Sequence, residues 1–108
     1  MAIFKRIFPF DSAEAAKIAE GVISDLRSMP YGELTNLCGD SERSAIRGSR
    51  GIVYSVVTFG IMEPNGVLRV SVAVDNGGFS SLKPLVRDFL MKPDGSIMRQ
   101  WGWQSELG

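Results

Sequence analysis

The sequence predicts one small α+β domain over residues 1–108, an N-terminal amphipathic helix packed on a four-stranded antiparallel meander. Three observations predict it. Apolar residues recur at three- and four-residue steps over 11–29 and at two-residue steps from Gly51 onward. The stretch MEPNGVL at 62–68 is echoed by MKPDGSI at 91–97, and each holds the residues of a tight hairpin turn. Hydrophobic residues make up 44% of the chain against 22% charged, enough apolar surface for one core without disulfide staples.

The helix is the clearest element. Asp11 is a good N-cap, and Glu14 three residues later completes a capping-box pattern. Phe10 and Ala15 stand at staple positions. Ala15, Ile18, Ala19, Val22, Ile23 and Leu26 form one apolar face. Pro30 disfavours helical geometry at Met29 and closes the element. Before it, IFKRIF at 3–8 reads as a short strand or arm against the core.

Residues 30–50 are irregular. Glu33 to Cys38 can make one helical turn, and Gly39, Gly48 and several serines follow. The stretch is predicted to be a loop, with Arg43, Arg47 and Arg50 as a local basic run that could contact an anion. No phosphate-binding glycine spacing accompanies it.

Four strands are predicted next, at 51–63, 67–75, 85–92 and 96–102. In 52–62, Val53, Val57, Phe59 and Ile61 share one face with Ser55, and Ile52, Tyr54 and Val56 occupy the other. Both faces are apolar, so this strand is expected to be central. In 67–75 the alternation is cleaner: Leu68, Val70, Val72 and Val74 point one way, Arg69, Ser71 and Asp75 the other. Pro64-Asn65-Gly66 and Pro93-Asp94-Gly95 each supply a type I turn closed by a left-handed glycine. Asp75-Asn76-Gly77-Gly78 is a further turn. Residues 81–91 allow two assignments. Leu82, Leu85, Val86, Phe89 and Leu90 have helical spacing, which would make a second helix. The hairpin that follows needs a strand to feed it, which favours the strand.

Composition narrows the chemistry. There is no histidine and only one cysteine, Cys38. Cys/His zinc sites, Ser-His-Asp triads and Cys-His pairs are excluded. No cofactor or metal is predicted, and Asp75, Asp88 and Glu63 look too scattered for a catalytic pair. Lys plus Arg equals Asp plus Glu, 12 each, which argues against nucleic acid as a partner. The lone cysteine and the absence of a visible signal segment point to the cytoplasm. Phe4, Lys5, Arg6 and Phe8 could support at most weak contact with a membrane surface.

A capped helix followed by an antiparallel meander resembles the cystatin-like arrangement, a helix lying on a curved sheet. The likeness is one of fold alone and implies no function.

Two functional expectations follow. The first is a non-enzymatic binding or protein-interaction module. Trp101 and Trp103 would form an aromatic anchor. A second sheet face, apolar around Ile52, Tyr54 and Val56, would be covered by a second subunit if loop 30–50 leaves it bare. The second is a small-molecule sensor or enzyme with a cleft lined by loop 30–50 and the sheet mouth, drawing on Tyr54, Arg47, Asp40 or Cys38.

Overall fold

A computed structural model describes residues 11–77 and 84–98. Helix α1 (Ser12–Arg27) begins where the sequence places it, with the Asp11 carboxylate accepting the Glu14 N–H at 3.0 Å. Ala15, Ala19, Ile23 and Leu26 are buried, with Ile18 and Val22 packed beside them. The reciprocal half of the capping box is diverted. The Glu14 side chain does not turn back to Asp11. It accepts the Ser49 N–H at 2.7 Å and the Tyr54 hydroxyl at 2.8 Å, tying the helix start to the sheet. A short helix α2 (Tyr31–Leu34) follows Pro30, and a 3₁₀ turn (Thr35–Cys38) extends it.

The sheet has five strands in sequence order: β1 (Glu42–Arg47), β2 (Val53–Met62), β3 (Leu68–Asp75), β4 (Leu85–Met91) and β5 (Ile97–Met98). All neighbours are antiparallel. Helix α1 lies across β3 and β4. This is the expected helix on a meander, with one strand more than the sequence pattern predicts. Strand β1 falls within the predicted loop 30–50. Its sequence, ERSAIR, lacks an apolar alternation because it is an edge strand. Its Ile46 packs against the core while Glu42, Arg43, Ser44, Ala45 and Arg47 are exposed. Backbone pairing with β2 makes it a strand, and its charges discourage further edge pairing.

The two faces of β2 are the reverse of the expectation. Tyr54, Val56 and Thr58 are buried under the helix side, and Val53, Val57, Phe59 and Ile61 lie on the other face. Register with β3 causes this. Thr58 stands opposite Val72 and Val56 opposite Val74, so the fully buried row of β3 carries the even residues of β2 into the core. Gly60 belongs to the same row. A side chain there would put its Cβ 3.2 Å from the Cys38 Sγ, so glycine lets the 3₁₀ turn sit close on β2.

Residues 85–91 form a strand, not a second helix, paired with β3 from Leu68↔Met91 to Val74↔Leu85. Arg87 is the polar residue on the helix-facing row of β4, and it meets Glu20 of α1 at 3.3 Å. Phe89, next on that row, is fully buried, with the Arg27 guanidinium 5.8 Å from its ring centroid.

The echoed turns lie side by side at one end of the sheet. The second follows the predicted chemistry: Gly95 N–H donates to Lys92 C=O, Gly95 is left-handed at φ 91°, and Asp94 accepts from Ser96. The first departs from it. Asn65 has φ 69° where a type I turn needs about −90°, so Asn65 and Gly66 are both left-handed. Asparagine tolerates that region because its short amide can bond locally. The Tyr31 hydroxyl donates to Gly66 C=O at 2.6 Å, clamping α2 onto this turn. The predicted last strand is seen over Ile97–Met98. Its remainder to 102, Trp101 and Trp103, and the segment with Phe4, Lys5, Arg6, Phe8 and Phe10 lie outside the described residues.

Candidate functional site

Among the described residues, one flat surface and one concave surface combine apolar and charged side chains. The flat one is the sheet face opposite α1. Val53, Ile61 and Val86 are each 45% exposed or more, and Val57, Phe59 and Ala73 between them are half-buried. Each lies on the open face by register: Val57 opposite Ala73, and Ala73 opposite Val86. Contiguous apolar exposure of this kind marks an interaction surface more often than scattered single residues do.

Charge on this face is arranged by side. Arg43 and Arg47 of β1 border it on one margin, opposite Val57 and Val53. Arg43 Nη1 reaches the Ser55 hydroxyl at 3.4 Å. Further across stands an ion-pair cluster that the sequence does not reveal. Arg69 Nε donates to Glu63 at 2.7 Å, and Arg69 Nη1 donates to Asp88 at 3.0 Å. Glu63, bonded first, and Asp88 raise the guanidinium's proton affinity. The bonded pairs are 6 and 19 positions apart, and the β2–β3 hairpin and β3–β4 pairing assemble them. The cluster carries one excess negative charge, so the face is basic at β1 and acidic towards β4.

Among the residues singled out from sequence, Arg43 and Arg47 sit on this margin. Tyr54 does not. It is fully buried, and burial first, then its bond to ionised Glu14, pushes its phenol up to about 12. Tyr54 ties β2 to the start of α1 through Glu14. Cys38 is exposed beside Gly60.

The Glu14 carboxyl is held below the usual carboxylate range, chiefly by the Ser49 backbone N–H and then by the Tyr54 hydroxyl. The sign follows from linkage. A carboxyl lowered in the folded state contributes stability above its unfolded pKa and loses it as pH falls through the folded value. Thermal melts of Glu14→Gln are expected to show a flatter acid limb than the native chain as pH falls below the ordinary glutamate value of 4.5. Parallel limbs would show that Glu14 is not linked to folding.

The concave surface is a cleft of about 430 Å³ between the end of α1, the helical segment 31–38 and the start of β1. Leu26, Met29, Leu34 and Leu37 form its apolar floor, and Glu33, Asn36, Asp40 and Glu42 its rim. Residues 33–42 of this segment line the cleft, Asp40 among them.

Among the described residues, no helix is long and apolar enough to cross a membrane, and no group of three or more His, Cys, Asp or Glu is placed to hold a metal ion. Comparison with protein-family models, curated proteins and solved structures finds no match to this chain.

Proposed function

We propose that this domain is a non-enzymatic interaction module that self-associates through the open face of its sheet. The observation that carries this is the set of apolar residues Val53, Val57, Ile61, Ala73 and Val86 on a face that α1 does not cover. The occupant is a second copy because the row Val57, Ala73 and Val86 can lie on itself. A two-fold axis parallel to the strands keeps every residue at its level along the strand, so Val57 of each copy meets Val86 of the other across Ala73, with Arg43 of β1 at the margin beside β4. A net charge of zero adds no long-range repulsion between copies.

Size sets the strength. Strands about 4.8 Å apart and about 3.4 Å per residue give a face of roughly 550 Å². Standard interfaces bury about 800 Å² per partner, so association at roughly micromolar concentration or weaker is expected. The test is sedimentation of Ile61→Lys/Val86→Lys beside the native chain, with circular dichroism checking the fold. The charges would be buried unpaired in the dimer, so the folded variant is expected to stay monomeric where the native chain dimerises. A native chain that stays monomeric up to about millimolar concentration, or a folded variant that still dimerises, would contradict the reading.

A further inference from the structure

The geometry points to the 430 Å³ cleft at the end of α1 as a second, separate binding site, one for a small organic cation with an apolar body. Its volume falls in the range of about 300–1,000 Å³ typical of small-molecule sites. The floor is apolar: Leu34 is fully buried, Leu26 and Leu37 are nearly so, and Met29 adds an adaptable thioether. That floor would take a hydrocarbon or aryl body.

The rim decides the head group. Glu33, Asp40 and Glu42 all line the opening. None of the three makes an ion pair or side-chain hydrogen bond among the described residues. This contrasts with the other side of the fold, where Glu14, Glu63 and Asp88 each have a partner. Among the described residues, no basic side chain lines the cleft. The end of α1, marked by Leu26 and Ser28, adds the partial negative charge of a 16-residue helix. Every charge at the opening therefore favours a cation, and the walls below favour an apolar group. An ammonium or guanidinium on a short aryl or alkyl chain satisfies both. An anion is repelled, and a fully hydrated inorganic cation gains nothing from the floor.

Three probes of one shape separate these terms: phenylbutylammonium, phenylbutanol and phenylbutyrate, followed by amide NMR shifts of the whole chain. The ammonium is expected to bind saturably, with the largest shifts within residues 26–42. It should bind about tenfold more tightly than the alcohol at low salt, from three weak exposed charge interactions. The carboxylate should bind more weakly still. The advantage should shrink in about 0.5 M salt, where charges are screened within a few ångströms. Glu33→Gln/Glu42→Gln should bring the ammonium close to the alcohol, and Asp40→Asn should do so in part. Asp25→Asn, an equal charge change on α1 outside the cleft, should leave the preference intact. Equal binding of ammonium and alcohol, shifts centred elsewhere, no binding by any probe, or selectivity that survives the double variant would each overturn the assignment.

Discussion

Phe89→Ala is expected to cost about 3–5 kcal/mol of folding stability, read as a fall in the urea midpoint at nearly unchanged slope. Phe89 is fully buried in the row that β4 turns to α1, directly across from Val70. Its ring is also the surface over which the Arg27 guanidinium lies. Truncation leaves a void between helix and sheet, and α1 cannot fill it by sliding. One end of the helix is fixed by Glu14 on Ser49 and Tyr54, and its flank is held by the Glu20–Arg87 pair. Domains of this size are stable by about 5–15 kcal/mol, so the variant should be close to unfolding. A loss under about 1 kcal/mol would mean that α1 does not sit on β4 as described.

Gly48→Ala is expected to cost about 1–3 kcal/mol, although the substitution adds one methyl group. The new Cβ would stand 2.6 Å from a ring carbon of Tyr54 and 2.7 Å from a Glu14 carboxylate oxygen. Glu14 could swing away, but it would lose both the Ser49 and Tyr54 bonds. The Tyr54 ring cannot move because it is fully buried. Gly21 provides the matching control. Its Cβ would meet nothing within 4 Å, and it lies inside α1 on the exposed side. Gly21→Ala should stabilise the chain by up to about 1 kcal/mol through helix propensity. Thermal melts of the two variants should move in opposite directions. A neutral Gly48→Ala would show that the Glu14–Tyr54 tie does not require a bare backbone there.

The parts of the fold legible in the sequence are those where one periodic signal stood alone. Helix α1 was legible because its apolar spacing, its Asp11 cap and Pro30 agree. Strand β3 was legible because Leu68, Val70, Val72 and Val74 alternate with polar residues. Pro93-Asp94-Gly95 announced its own turn. Strand β2 was harder because both of its faces are apolar, so alternation cannot say which one meets the helix. Only the register with β3 decides that, and register is a long-range property. Strand β1 was hidden because an edge strand with exposed side chains keeps no hydrophobic period. In 85–91 the helical spacing came from burial on both sides of β4: Phe89 and Met91 face the helix, and Leu90 is buried on the other face next to Met98.

The surfaces were less legible than the fold. Arg43 and Arg47 read as a solvated basic run, and their relation to Arg69, Glu63 and Asp88 appears only when β1 to β4 are aligned. Glu33, Asp40 and Glu42 carry no periodic signal. They converge because the segment 31–38 folds back beside the end of α1. Gly60 and Gly48 are the sequence clues to these close approaches, and glycine alone does not say which neighbour comes near.

In the proposed dimer the open face of the sheet meets its own copy. Isotope-filtered NMR on an equal mixture of labelled and unlabelled chain tests it most directly, because it detects only contacts between copies. Inter-copy contacts are expected at the methyl groups of Val53, Val57, Ile61, Ala73 and Val86, and none at Val70 or Val72, which face the helix. Contacts confined to the β1 edge or to α1, or no inter-copy contacts at about millimolar concentration, would contradict it.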